Sequence, residues 1–232
     1  MQTIRRAEDR GHANHGWLDS HHTFSFANYY DPDHMGFRTL RVINEDRVTP
    51  GRGFGAHGHR DMEIISYVLD GALAHADSMG QKTVIRPGEV QLMSAGSGVM
   101  HSECNDSDEE GVHFLQIWVV PNRRATKPGY QQRQFPYETR QADWRLLVSP
   151  DGQQDSLQIK QDARLWGTVL EPGDEVGFDL ERGRGAWLHV VRGEIEVGGE
   201  TLKGGDAISF EDVAKIGVLG KQPAELLLFD LA

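Results

Sequence analysis

Two short segments concentrate the chemistry of this chain. The first is Gly55-Ala56-His57-Gly58-His59-Arg60-Asp61-Met62-Glu63, and the second, further along, is Gly98-Val99-Met100-His101-Ser102-Glu103. Both read as strands or strand edges. Side chains at i and i+2 of a strand leave from the same face. His57 and His59 therefore point one way together, and so do His101 and Glu103. On facing strands the two pairs bring three imidazoles and a carboxylate to one point. That donor set suits a divalent first-row metal such as iron, copper, nickel, manganese or zinc.

The elements that must position these residues are strands throughout. From Thr39 the chain alternates apolar and polar residues, and Ile64 to Leu69 and Val112 to Val120 read as strong buried strands. Ala72 to Asp77, Thr83 to Ile85 and Val90 to Met93 are shorter strands, with turns at Asp70-Gly71 and Pro87-Gly88. Ahead of them, Phe24 and Phe26 suggest a strand over 21–26. No stretch has the 3.6-residue period of a long amphipathic helix. A second strand series runs from Arg145 to Leu231, and its turn at Arg192-Gly193-Glu194 repeats the one at Asp70-Gly71-Ala72. Likewise, Gly204-Gly205-Asp206 repeats Pro87-Gly88-Glu89. The repetition predicts an internal duplication and an all-β chain of two domains. Residues 122–138 are polar with two prolines and are read as a linker. The expected division is 1–125, carrying the metal, and 126–232, a degenerate copy with His189 as its lone histidine and no metal.

Composition narrows the function. The chain has 232 residues, 38% of them hydrophobic, and a formal net charge of −11. Such an acidic surface repels phosphate backbones and argues against direct nucleic-acid binding. No apolar run reaches the ~20 residues of a membrane span, and Met1 to Arg6 lacks the apolar segment of a signal peptide. Cys104 is the only cysteine, so no intrachain disulfide forms, and a reducing cytoplasm is expected. Cys104 follows Glu103, points off the metal face and is read as a buried small hydrophobe. Phe54, Met93 and Met100 flank the ligand segments and are read either as core or as lining for a flat aromatic substrate. His12, His15, His21 and His22 form a further histidine-rich stretch. With no carboxylate or cysteine at clear ligand spacing beside them, they are read as hydrogen-bonded or surface histidines, as are His75 and His113.

Gly51, His57, His59 and Glu63 match the spacing of the first cupin block, Gly-x5-His-x-His-x3-Glu. His101 closes a looser second block in which Gly96 stands where proline is usual. Almost the whole chain resembles the pirin family within the cupins. The carriers are Gly16-Trp17-Leu18-Asp19-Ser20, His22-Thr23-Phe24-Ser25-Phe26, the His57-to-Glu63 segment, Met93-Ser94-Ala95-Gly96-Ser97-Gly98 and His101-Ser102-Glu103. The match is specific to the bacterial pirin-like proteins that oxidise quercetin. The resemblance implies a bicupin of two packed jelly-roll-like β-barrels with metal in the N-terminal one. It implies His57, His59, His101 and Glu103 as ligands. The general cupin pattern puts Glu63 in the carboxylate position instead; on the pirin pattern, Glu63 hydrogen-bonds a ligand or pairs with an ion. Iron(II) is the family default, although the same donors accept copper, nickel, cobalt, manganese or zinc. The implied activity is quercetin 2,3-dioxygenation of a flavonol-like aromatic with dioxygen, Glu103 serving as general base. The alternative implied by eukaryotic members is a metal-bearing regulatory protein or redox sensor that binds a protein partner.

Overall fold

A computed structural model describes all 232 residues, and nearly all of its ordered structure is strand. Along the chain the strands are β1 (Gln2–Arg5), β2 (Gly11–Asn14), β3 (Leu18–His22), β4 (Leu40–Val48), β5 (Gly53–His59), β6 (Glu63–Asp70), β7 (Leu73–Asp77), β8 (Lys82–Ile85), β9 (Glu89–Ser94), β10 (Val99–Asn105), β11 (Val112–Val119) and β12 (Gly129–Gln134). They continue as β13 (Arg145–Ser149), β14 (Leu157–Gln158), β15 (Ala163–Leu170), β16 (Glu175–Asp179), β17 (Gly185–Arg192), β18 (Glu194–Val197), β19 (Glu200–Lys203), β20 (Ala207–Glu211), β21 (Lys215–Gly220) and β22 (Ala224–Leu231).

The chain forms two cupin units. One consists of Gly11–Gln134 with Ile159–Gln161; the other of Met1–Arg10, Phe135–Gln158 and Asp162–Ala232. The first has a sheet in the order β12-β9-β6-β11-β4-β3-β2 and a second sheet β5-β10-β7-β8. The other unit has β1-β20-β17-β22-β15-β13-β14 and β16-β21-β18-β19. Strand for strand, β9-β6-β11-β4 corresponds to β20-β17-β22-β15, and β5-β10-β7-β8 to β16-β21-β18-β19. The duplication expected from the repeated turns is thus present in the pairing. Gly71 and Gly193 occupy equivalent turns at φ 77 and 88. A Cβ on either would run into the facing backbone, at Gly111 or Pro223, so both positions need glycine twice over.

The boundary differs from the expected 125/126. The stretch 122–138 contains β12, which pairs with β9 from Gly129–Ser94 to Gln134–Glu89. Met1–Arg10 belongs with the C-terminal unit because β1 pairs with β20 there. Both are edge strands whose side chains are mostly polar and partly exposed. An edge strand is paired along one side only and is left partly open to solvent, so its mostly polar sequence looks like a linker. The strand expected over 21–26 ends at His22. Beyond it, Phe24 is buried in a loop that turns at Ala27, where φ is 50.

The interior of the first unit rests on β6 and β11, the two central strands. Val68, Val112 and Phe114 pack with Val48, Leu73 and Ile85, and a neighbouring cluster gathers Ile64, Met93, Ala95 and Val99. Burying each such side chain stabilises the fold by about 1.5–3 kcal/mol. Together these clusters give a rigid platform behind the smaller sheet, which carries the histidines.

Candidate metal centre

Register brings the two histidine segments together. In the antiparallel pair β5–β10, His57 stands opposite His101 and His59 opposite Val99. On β10, Val99, His101, Glu103 and Asn105 face inward, while Met100 and Cys104 face solvent. The ladder slips by one residue between His101 and Glu103, so Glu103 faces Phe54 instead of Gly55. Such a bulge re-aims the side chains beside it. Gly53 makes the slip possible, since a Cβ there would collide with Cys104 Cα and the Glu103 carbonyl. Replacing Gly53 with alanine is expected to cost about 1–3 kcal/mol in denaturant unfolding.

Three imidazoles converge. The ring centroids lie 4.4 Å apart for His57–His101, 4.8 Å for His59–His101 and 4.9 Å for His57–His59. His57 Nε2 and His101 Nε2 face each other at 3.0 Å. Donors about 2.1 Å from a metal stand about 3.0 Å apart when they subtend a right angle, and about 3.4 Å at the tetrahedral angle. The observed spacing is that of two neighbouring corners of a coordination polyhedron. His57 Nδ1 lies 2.8 Å from the Gly55 carbonyl. Donation to that carbonyl fixes the tautomer that leaves the Nε2 lone pair free. Burial, and next the nearby His57, hold His59 down to about 4; burial with His57, His59 and His75 holds His101 down to about 3. Both imidazoles are therefore neutral near pH 7, the form that ligates a metal. The donor set fits a divalent metal.

Glu103 sits beside the imidazoles, fully buried. Ser66 Oγ donates to Oε1 at 3.1 Å and Gln116 Nε2 to Oε2 at 2.8 Å. Burial pushes its carboxyl up to about 7, with the neighbouring Asp46 adding to the rise. Its donor atom groups with those of His75 and His101, all three side chains being buried. Glu63 does not join any of these groups. Its Oε2 accepts Ser94 Oγ at 2.8 Å and the Lys160 backbone N–H at 3.2 Å.

A cavity of about 500 Å³ opens beside the centre, within the size range of small-molecule sites. His57, His59 and Glu103 reach it, and Phe26, Tyr29, Phe54 and Trp118 give it aromatic walls. Trp118 sets its edge against His59, with centroids 5.0 Å apart, and Phe26 packs on Trp118 at 5.4 Å. Ser20, His22, Asn44, Asp46 and Gln116 make a polar wall. There Ser20 Oγ hydrogen-bonds Asp46 and meets His22 Nε2 at 2.9 Å. The buried Asn44 Oδ1, Gln116 Oε1 and Trp118 Nε1 have no partner in the protein.

Sequence spacing picked out His57, His59, His101 and Glu103, and the fold gathers all four in one region. It did not reach His75, Trp118, Asp46 or Gln116. His75 was read as a lone structural histidine, yet it stands opposite Glu103 across β7–β10, its ring 5.3 Å from that of His101. Of the flanking residues, Phe54 lines the cavity, Met93 is in the core and Met100 is 49% exposed. Cys104 is exposed instead of buried, because β10 has solvent beyond its outer face at that position.

The comparisons with known proteins agree across the whole chain. Residues 3–119 match the family model described as Pirin, and residues 146–231 the model described as Quercetinase C-terminal cupin domain. A quercetin 2,3-dioxygenase of Escherichia coli K12 is 45% identical over 231 residues, covering 100% of this chain and 99% of that protein. The crystal structure of YhhW from Escherichia coli superposes with a TM-score of 0.97 at 44% identity, covering 100% of this chain and 98% of that one. A second structure of this bacterial pirin, in complex with nickel(II), gives 0.95 at 44% identity, covering 100% and 99%.

Proposed function

The chain belongs to the pirin family, and on that premise we propose that it is a metal-dependent dioxygenase that opens a flavonol of the quercetin type with dioxygen. The observation that carries the reading is the convergence of three imidazoles beside a buried glutamate, with His57, His59 and Glu103 reaching an aromatic-walled cavity. In this reading His57, His59, His101 and Glu103 of the N-terminal unit hold one divalent ion, iron(II) by preference, and the C-terminal unit holds none. When bound, the ion polarises the substrate's enol hydroxyl and brings substrate and oxygen together.

The remaining chemistry belongs to the protein's own residues. Phe26, Phe54 and Trp118 form a slot that suits a flat ring system. Glu103 takes the proton of the substrate's hydroxyl as general base, which requires it to detach in part from the ion. Ser66 and Gln116 hold both its oxygens in place and stabilise the charged form. Asn44 and Gln116 accept hydrogen bonds from ring hydroxyls, and Trp118 Nε1 donates one to a substrate oxygen. The aromatic side chains on one wall limit the access of bulk water to the activated ring. The protein works in the cytoplasm, with its one thiol unpaired.

The test is oxygen uptake by the metal-loaded protein with quercetin. Stoichiometric consumption supports the reading, and no consumption, beside an active control enzyme, sinks it. Trp118→Ala removes both wall and indole donor. It is expected to raise KM about tenfold or more with a smaller change in kcat, by loss of one hydrogen bond and aromatic contact. Steady-state kinetics on quercetin check this, and an unchanged KM would place the substrate elsewhere.

A further inference from the structure

The β2–β3 hairpin carries a second constellation, at the rim of the cavity: His12 reaches the cavity wall, whereas Asp19 and His21 do not. Its register pairs His12 with His21 and Asn14 with Asp19. Strand alternation sends Leu18, Ser20 and His22 inward, where they are buried, and leaves Asp19 and His21 partly exposed on the other face. His12 joins them from the edge strand. His12 Nε2 lies 3.1 Å from Asp19 Oδ1, and His21 Nδ1 lies 3.5 Å from the same oxygen. The three donor atoms fall within 4.8 Å of one another.

We propose that His12, Asp19 and His21 form a second divalent-metal site, for a borderline transition ion such as zinc, nickel or copper. The spacing carries the argument. Ligand atoms about 2.1 Å from one metal are about 3.0–3.4 Å apart between right-angle and tetrahedral geometry. The two measured separations, 3.1 and 3.5 Å, are close to the ends of that interval. The rings are already ordered: they stack at 4.4 Å with 17° between planes, so little side-chain entropy remains to be lost on binding. Asn14 Nδ2 donates to Asp19 Oδ2 at 3.3 Å, which turns Oδ1 toward the imidazoles. A hydrogen bond from outside the donor set orients the ligand in this way in metal sites generally. Glu45 stands opposite His21 on β4, and its carboxylate adds negative potential while meeting Arg47 and His113. Two nitrogens and one oxygen select borderline ions over calcium or magnesium, which take oxygen sets. Partial exposure of all three side chains leaves further positions to water.

The site clips the edge strand β2 to β3, whose inner face is part of the cavity wall. It does not depend on the dioxygenase reading. Nor was it legible from the chain, because Asp19 reaches His12 only through the hairpin register.

Isothermal titration of the metal-stripped protein with zinc tests it. The expected result is two equivalents per chain in the wild type, the exposed site being the weaker. One equivalent should remain in His21→Ala and in Asp19→Asn, where the weaker step loses at least tenfold in affinity. Asp19→Asn keeps the side-chain shape, so loss there is not misfolding, and neither residue reaches the cavity, so oxygen uptake should persist in both. In His57→Ala/His101→Ala, one equivalent should remain and should disappear when His21→Ala is added. Identical stoichiometry and affinity in the wild type, His21→Ala and Asp19→Asn would overturn the proposal and leave the three residues as hydrogen-bonded pairs only. A wild type that takes only one equivalent, retained in His57→Ala/His101→Ala and lost in His21→Ala, would support this site and reject the other.

Discussion

His101→Ala is expected to abolish oxygen uptake with quercetin and to release the tightly held metal. His101 is the hub of the cluster. It is 2% exposed, its Nε2 faces that of His57 at 3.0 Å, and its ring meets those of His59 and His75 as well. Loss of an outer hydrogen-bond partner typically lowers metal affinity about 10–100-fold. Removing a donor atom exceeds that, so dialysed protein should retain less than about a hundredth of the wild-type affinity. Metal analysis after dialysis, paired with oxygen uptake, measures both. His113→Ala is the matched control, because that imidazole is taken up by Glu45 at 2.9 Å and does not line the cavity beside the metal centre. Tight metal retained in His101→Ala would mean that the imidazoles are held together by hydrogen bonding alone.

The parts of this site that could be read from the chain are those encoded by local spacing. His57 and His59 share a strand, as do His101 and Glu103, and strand alternation alone puts each pair on one face. The two segments could be expected to meet because each flanks a strong buried strand. His75, Trp118, Asp46 and Gln116 come from β7, β11 and β4, each two or more strands from one of the two histidine segments in sequence. Their approach is set by register, which no local pattern records. His75 illustrates this: in the chain it is an isolated histidine between two alanines, and only the β7–β10 ladder sets it opposite Glu103.

The fold divides in the same way. Buried strands such as β6 and β11 were legible because both faces are covered and their residues run apolar. The edge strands β1 and β12 were not, since half-exposed polar residues look the same in a strand as in a linker. Phe24 and Phe26 misled in the opposite sense. Their alternation is that of a strand, but one serves the core and the other the cavity wall from within a loop.

Glu103→Gln separates catalysis from stability, because the two effects run in opposite directions. As the proposed base of the reaction, Glu103 would contribute about 10²–10⁴ in rate, so kcat should fall by at least about a hundredfold. In the wild type, kcat/KM should rise with pH along a limb at or below pH 7, since a bound dication lowers a carboxyl that burial alone holds near 7. The glutamine variant should lack that limb. The metal-free protein should show the reverse for stability. The carboxyl titrates higher folded than unfolded, so its contribution is fully present below the unfolded value of 4.5 and is lost as pH rises through about 7. Over that window the wild type loses up to about 3 kcal/mol relative to the variant, at 1.36 kcal/mol per pKa unit. The depressed histidines contribute equally to both proteins and cancel in the difference. Gln116 can turn its unpartnered Oε1 to the new amide, which keeps the packing intact. Denaturant unfolding of the stripped proteins at pH 5 and pH 8 should then show Glu103→Gln gaining on the wild type at the higher pH. A variant that kept its turnover while gaining stability would make Glu103 a buried structural acid and move the proton transfer to another group, with Asp46, pushed up to about 7 on the same cavity wall, next in line.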